Sequence, residues 1–208
     1  MSSLISQPQD LPHRALRWVS DYQREIVLAL VLGLAFFGGI AGWLSWQGRV
    51  EKKAQVALYE SQNKKEGLEK VVKDFSGTQA GLLALIALGG NARDAADFDG
   101  CIRLFQQAYS KAGAETYFKI LALQEVGTCY RAKADYKKAA EFFDRAAKEP
   151  GNKAPLASRF EAIRCHQLDK DPQTDSLYQS LLAEKNLDPE LQSAIEEQLL
   201  WLKLQKGS

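Results

Sequence analysis

The apolar residues of this chain are concentrated in one uninterrupted segment near the N-terminus. No charged residue occurs between Ile26 and Gly48. As an α-helix, this segment would extend about 34 Å at about 1.5 Å per residue, which is enough to cross the hydrocarbon core of a bilayer. Aromatic residues lie at both ends of the segment, as in the interfacial belts of membrane spans: Trp18 and Tyr22 precede it, and Trp43 and Trp46 close it.

The pattern therefore predicts a single transmembrane helix over residues 22–48. A cleaved signal peptide is one alternative, but its apolar region would be shorter, would lie closer to the N-terminus and would end in small residues. A buried helix of a soluble protein is the other, but such helices rarely lack charge over this length. Residues 1–21 contain Pro8, Pro12 and several serines, and we expect a disordered tail or a short interfacial helix there.

Two glycines inside the apolar segment have a spacing that is typical of paired membrane helices. Gly38 and Gly42 form a GxxxG motif, which lets two helices approach closely in lipid. Glycine is also simply common in membrane helices, and this alternative stays open. We take the two glycines as candidate helix-packing positions.

Residues 49–208 contain an internal repeat. Residues of matching size and polarity recur there at a fixed offset of 38 positions. At one position the two copies of the repeat differ: the first has Ala92 where the second has Tyr130. The first set is Leu85, Leu88, Gly89, Phe98, Cys101, Phe105 and Ala108, and the second is Leu123, Val126, Gly127, Tyr136, Ala139, Phe143 and Ala146.

This spacing resembles the tetratricopeptide repeat, a helix–turn–helix unit of about 34 residues. In such a unit Gly89 and Gly127 would let the first helix approach the second closely. A degenerate third unit follows, and Asp188 with Pro189 is a typical start for a closing helix. The matched positions of the third unit are Ala162, Cys165, Thr174, Tyr178 and Leu181, and the apolar face of the closing helix is Leu191, Ile195, Leu199 and Leu202.

The predicted fold is all-α, with a single N-terminal transmembrane helix followed by a short tetratricopeptide-type α-solenoid over residues 49–208. The first helix of the solenoid is expected to continue directly from the membrane span, since nothing interrupts it between Gly48 and Tyr59. The predicted repeat units are residues 50–78, 82–112, 120–150 and 156–184, with a closing helix over residues 188–205.

Composition and missing motifs narrow the function classes. Lys and Arg total 27 against 26 Asp and Glu, and this balance provides no basic field for nucleic acid. The chain lacks the common catalytic and phosphate-binding motifs. Cys165 and His166 are adjacent, but consecutive helix residues point about 100° apart, which disfavours a catalytic dyad or a metal site. We therefore predict that the protein is not an enzyme and uses no cofactor, metal or small-molecule substrate.

Stacked helix pairs form a concave surface that usually binds peptides or proteins. Arg93, Arg131 and His166 each stand four positions after the small residue of a first helix. A basic strip there would receive acidic side chains or a terminal carboxylate, although exposed helix positions are often basic without any such role. The candidate partner-binding residues, called the first-helix strip below, are Arg93, Gln124, Thr128, Arg131, Arg159 and His166.

The sequence leaves the orientation in the membrane open. Basic residues just after the span, beginning at Arg49, favour a cytoplasmic repeat domain, but this rule is weak for long domains. Cys101, Cys129 and Cys165 are an odd set with no close spacing, whereas exported domains more often have paired cysteines or none. The cysteines are therefore a weak argument against export, since single buried cysteines are also tolerated as small hydrophobic residues.

The whole arrangement resembles the bacterial family of membrane-anchored tetratricopeptide proteins that accompany the Sec translocon as ancillary subunits. The resemblance extends from about Tyr22 to the last helix and includes the segment LEKVVKDFSGTQAGLLALIALG. It implies an anchor in the bacterial inner membrane and a repeat domain in the periplasm. It also implies protein partners, namely translocon subunits, periplasmic chaperones and newly exported proteins.

Two functions are therefore considered. The first is a membrane-tethered protein-binding module that assists protein export. The alternative is a scaffold subunit of another membrane complex, with the repeat domain on either side of the membrane. Neither involves nucleic acid.

Overall fold

The computed structural model describes residues 22–206, and these residues form an all-α structure without strands. The all-α prediction is thus confirmed. The predicted tail over residues 1–21 lies outside the described residues, as does Trp18 of the aromatic belt. The helices are α1 (Gln23–Glu60), α2 (Lys65–Asp74), α3 (Gln79–Asp94), α4 (Phe98–Lys111), α5 (Thr116–Ala132), α6 (Tyr136–Lys148), α7 (Pro155–Leu168), α8 (Thr174–Leu182) and α9 (Pro189–Lys206).

Helix α1 contains the apolar segment. Its stretch Val27–Glu60 contains an 18-residue window that is apolar enough to cross a membrane, with a mean hydropathy of 2.2 and no part of that window buried. Gly38 and Gly42 are exposed, and a Cβ atom at either would meet no other part of the described residues 22–206 within 4 Å. Their proposed packing against a second helix stays a prediction.

The chain divides into two compact units, Met1–Val50 and Glu51–Ser208. The division falls two residues after the predicted end of the membrane span. The second unit comprises the last part of α1 and helices α2 to α9. Helix α1 runs without a break to Glu60, as predicted.

Three successive hairpins in the second unit, α3–α4, α5–α6 and α7–α8, share one turn geometry. Each turn contains a residue with a left-handed φ: Ala96 at 58°, Ala134 at 60° and Lys170 at 59°. The next residue is an aspartate whose backbone N–H donates to the carbonyl five positions earlier, at 2.8–3.0 Å. In the first two turns, Asp97 and Asp135 also cap the following helix with their side chains. The repeat in the sequence is therefore a repeat in backbone structure.

Close approach of the two helices in a hairpin depends on the predicted glycines. A Cβ atom at Gly89 would lie 2.7 Å from the Phe105 ring, and one at Gly127 would lie 3.0 Å from the Phe143 ring. Both rings are buried. The glycines thus provide the space that each phenylalanine occupies, because any larger side chain would overlap the ring.

The C-terminal part of the domain is built as the sequence predicts. Tyr178 and Leu181 of the third hairpin are fully buried and pack with Ile195 of α9. Asp188 begins α9 by accepting the backbone N–H of Glu190 at 2.9 Å.

Helices α3, α5 and α7 begin at Gln79, Thr116 and Pro155, slightly before the predicted units at 82, 120 and 156.

A capping contact within the second unit was not anticipated from the sequence. The carboxylate of Glu51, on α1, accepts the backbone N–H groups of Gln79 at 3.0 Å and Ala80 at 3.2 Å. These are two of the donors that a helix N-terminus leaves without an intrahelical partner. A negative side chain also interacts favourably with the positive end of the helix dipole. Glu51 therefore ties the start of this unit to the first repeat hairpin.

Candidate protein-interaction surfaces

The two arginines at matched positions of the first-helix strip form ion pairs between successive hairpins. Arg93 of α3 pairs with Glu125 of α5, and Arg131 of α5 pairs with Glu161 of α7. Glu125 raises the pKa of Arg93 through a hydrogen bond and its charge. The guanidinium of Arg131 also lies 5.4 Å from the centre of the Phe143 ring. Each arginine therefore links its own hairpin to the next one.

The other members of the strip also have partners within the chain. The Gln124 side chain donates to the Ser158 hydroxyl at 3.0 Å, and the Thr128 hydroxyl donates to the Gln124 carbonyl at 3.0 Å. Arg159 lies 2.6 Å from the Glu184 carboxylate, and His166 Nδ1 lies 3.1 Å from the Asp171 carboxylate.

The six predicted residues thus all lie on the first helices of the three hairpins, α3, α5 and α7. The positive charge of each arginine, however, is balanced by a glutamate of the same chain. An acidic ligand would have to compete with the carboxylates of Glu125, Glu161 and Glu184. The role of the strip in binding stays a prediction. The sequence shows that Glu125 and Glu161 lie on the same first helices as the arginines. It does not show that they face the arginine of the preceding hairpin, because this depends on how the hairpins pack.

Cys101 and Cys129 form a disulfide between α4 and α5, with their Cα atoms 6.5 Å apart. Both residues are fully buried. The lack of close spacing in the sequence was misleading, because the hairpin packing brings together two cysteines that are 28 positions apart. The expectation that the cysteines are unpaired is therefore wrong for Cys101 and Cys129, whereas Cys165 remains unpaired.

Cys165 is a free cysteine in the core between α6 and α7. Burial raises the pKa of its thiol to about 11, so the thiolate is disfavoured at neutral pH. The Nδ1 atom of its neighbour His166 lies 3.1 Å from the Asp171 carboxylate. Among residues 22–206, no group of three or more His, Cys, Asp or Glu side chains is placed to hold a metal ion.

The closing helix has an exposed apolar face that the sequence analysis did not anticipate. Leu200, Trp201 and Leu204 of α9 are 58%, 47% and 66% exposed, and Leu168 of α7 is half exposed nearby. Terminal helices of solenoids usually present a polar outer surface. The sequence signal for this face is the apolar run of residues 199–202 (LLWL), because four consecutive residues cannot all lie on one buried side of a helix.

No protein-family model matches this chain, and no curated protein or solved structure matches it either.

Proposed function

We propose that this protein is a membrane-tethered protein–protein interaction module whose tetratricopeptide-like domain lies in the periplasm. There it acts as an ancillary factor of the protein-export translocon and engages exported proteins or periplasmic chaperones. The observation that carries the proposal is the Cys101–Cys129 disulfide. Structural disulfides form and persist in oxidising compartments and are rare in the cytosol. This pair therefore supports an exported repeat domain.

The form of the domain supports binding rather than chemistry. Stacked helix hairpins present extended surfaces that bind proteins. The apolar helix α1 provides a tether of sufficient length for a bilayer. The buried Cys165 thiol has a raised pKa, which argues against its use as a nucleophile.

A scaffold subunit of another membrane complex is the second candidate. It is favoured by the open surface at Gly38 and Gly42, where a Cβ atom meets nothing within 4 Å among the residues that the structure describes. In this case one stoichiometric partner would be held through the apolar helix. The two candidates therefore differ in the part of the chain that binds and in the number of partners.

The placement of the domain is tested by counting thiols in cells. The full chain is produced in a Gram-negative bacterium, quenched with acid, denatured and alkylated with a polyethylene-glycol maleimide. We expect one modified cysteine, Cys165, without reductant and three after reduction. Modification of all three without reductant would contradict the periplasmic placement. The double variant Cys101→Ala with Cys129→Ala is the control, since it should gain one label under both conditions.

Binding is tested by capture of the full chain from mild detergent through a tag after Ser208. A mixture of exported proteins with translocon subunits and chaperones is the expected result. A single stoichiometric partner that is lost in the variant Gly38→Leu with Gly42→Leu would favour the scaffold function instead.

The first-helix strip is tested in the same assay with a charge swap. Arg93→Glu combined with Glu125→Arg keeps the ion pair but changes the surface. If the strip binds partners, the swap should reduce capture as strongly as Arg93→Glu alone. If the ion pair only links hairpins, the swap should restore what the single variant loses.

A further inference from the structure

The first two hairpins differ at the matched position that breaks the sequence repeat. In the second hairpin, Tyr130 stacks on Phe142 of α6, with ring centres 5.4 Å apart and planes at 23°. The Lys138 ammonium lies 5.3 Å from the Tyr130 ring centre, and the Arg145 guanidinium lies 4.8 Å from the Phe142 ring centre. An aromatic pair flanked by cations thus occupies the space beside α5 and α6.

In the first hairpin, Ala92 and Leu104 stand in the places of Tyr130 and Phe142. The aromatic pair is absent there, and an open cleft of about 450 Å³ lies between α2, α3 and α4. Its apolar surface includes Val72, Leu88 and Leu104. The volume falls within the range of about 300–1,000 Å³ that is usual for ligand pockets. The first hairpin therefore leaves open a space that the second fills with its own aromatic side chains.

The rim of this cleft carries three cations, Lys65, Lys73 and Arg103, and all three are exposed. None of them forms an ion pair with another residue of the described part of the chain, in contrast to the arginines of the first-helix strip. Two acidic residues also line the cleft. Glu69 lies one helical turn from each lysine, and Asp97 uses its carboxylate to accept the Gly100 N–H at 2.9 Å.

We propose that this cleft binds a segment of a partner protein that carries an aromatic side chain flanked by carboxylates. The aromatic ring would lie over Ala92 and against Leu104, as Tyr130 lies against Phe142 in the next hairpin. The carboxylates would pair with Lys65, Lys73 and Arg103, because charge-assisted hydrogen bonds to these side chains are stronger than neutral ones. The inference goes beyond the proposed function, since the cleft shares no residue with the first-helix strip.

The experiment measures binding of a defined peptide to the full chain in detergent micelles by calorimetry. The probe is the capped pentapeptide EDYED. The first control peptide, EDAED, lacks the aromatic ring, and the second, KRYKR, reverses the charges. We expect both control peptides to bind at least about tenfold more weakly than the probe. Equal binding of EDAED or of KRYKR to the wild-type chain would overturn the proposal, and so would a lack of binding by EDYED.

The decisive variant fills the cleft from within the chain. Ala92→Tyr reproduces the residue of the next hairpin, and we expect it to weaken EDYED binding at least about tenfold without lowering the melting temperature. Ala132→Tyr, at an exposed position outside the cleft, is the matched control and should bind as the wild type does. Undiminished binding to a folded Ala92→Tyr protein would overturn the proposal.

A second pair of variants tests the charges of the rim, so that the proposal can still be tested if Ala92→Tyr does not fold. Lys73→Glu combined with Arg103→Glu should weaken EDYED binding by a similar factor, whereas Lys185→Glu, an exposed charge reversal elsewhere, should not. Equal binding by these two proteins would contradict the charge recognition. Failure of the cleft is distinguishable from failure of the proposed function, because partner capture from cells does not require this peptide to bind.

Discussion

The hairpins α3–α4 and α5–α6 have the same backbone plan but different surfaces. Both have a left-handed alanine in the turn, an aspartate cap and a glycine under a buried phenylalanine. They differ beside this common frame, where Tyr130 fills a space that Ala92 leaves open. A few small and apolar positions thus suffice to specify the hairpin. The residues outside that pattern give each hairpin a different surface.

The two junctions between hairpins differ as well. The first junction, from α4 to α5, is covalently closed by Cys101 and Cys129. At the second junction, from α6 to α7, Cys165 packs against Ala139 and Ala140 without a covalent link. We therefore expect the first junction to resist unfolding more strongly than the second, and only in the oxidised protein.

Removal of the disulfide should have the largest effect on this comparison. A crosslink between residues 28 positions apart restricts the unfolded chain and stabilises the fold by about 3.5 kcal/mol in the chain-entropy description. The variant Cys101→Ala with Cys129→Ala should lose a free energy of unfolding of this order. Urea denaturation of the full chain in micelles, followed by helical circular dichroism, measures it.

Reductant provides the control for this measurement. It should destabilise the wild type and leave the double variant unchanged. Cys165→Ala should cost less, about 1 kcal/mol, because it removes one buried sulfur atom without opening a crosslink. A Cys165→Ala variant as unstable as the double variant would show that the covalent link does not distinguish the two junctions.

Tyr130→Ala should produce the next largest effect, because it converts the second hairpin to the pattern of the first. It removes a stacked aromatic pair, worth about 0.5–1.5 kcal/mol beyond its buried area, together with that buried area and a cation–π contact with Lys138. We expect a total loss of about 2 kcal/mol in urea denaturation. Ala92→Tyr should change stability in the opposite direction or not at all, and a loss from both variants would contradict the structural equivalence of the two positions.

The sequence predicted the frame of the hairpins better than their surfaces. Gly89 and Gly127 could be predicted because they act within one hairpin, at a fixed distance along the chain. Glu125, Cys129 and the exposed face with Trp201 could not be assigned, because their contacts depend on how one helix is rotated against another. That rotation is determined by packing over a whole hairpin rather than by spacing. The same reason explains why Glu51 was not recognised as a cap.

The two glycines offer a finer comparison of the hairpins. A Cβ atom would lie 2.7 Å from the ring at Gly89 and 3.0 Å from the ring at Gly127. Overpacking of a core commonly costs about 1–3 kcal/mol, and replacing glycine by alanine within a helix returns up to about 1 kcal/mol. We expect Gly89→Ala to be more destabilising than Gly127→Ala by about 1 kcal/mol in thermal unfolding. Gly90→Ala, at a position where a Cβ atom meets nothing within 4 Å, should be neutral or stabilising.

The smallest expected difference lies at the caps of the second helices. Asp135 pairs with Lys138 at 2.9 Å, whereas the matched position in the first hairpin is Gly100. The hydrogen bond from Lys138 lowers the pKa of Asp135 below its ordinary value of 3.8, and Asp135 in turn raises the pKa of Lys138 above 10.5. A lowered carboxyl pKa stabilises the fold above pH 3.8, and this contribution is lost as the pH falls through the lower folded-state value. A raised ammonium pKa stabilises the fold below pH 10.5, and this contribution is lost as the pH rises through the higher folded-state value.

The stability difference between the wild type and Lys138→Gln should therefore be greatest between these limits and should decline in strong acid and in strong base. Melting temperatures across the pH range measure it, with Lys185→Gln as the control for loss of an exposed charge. The effect should be small because the Lys138 side chain is 55% exposed and that of Asp135 is 35% exposed, and solvent screens their attraction. A constant difference at every pH would mean that Lys138 stabilises this cap by packing over Tyr130 rather than by its charge. In that case the caps of the two hairpins would differ because the second hairpin has the Tyr130 ring, and the first has Ala92 in its place.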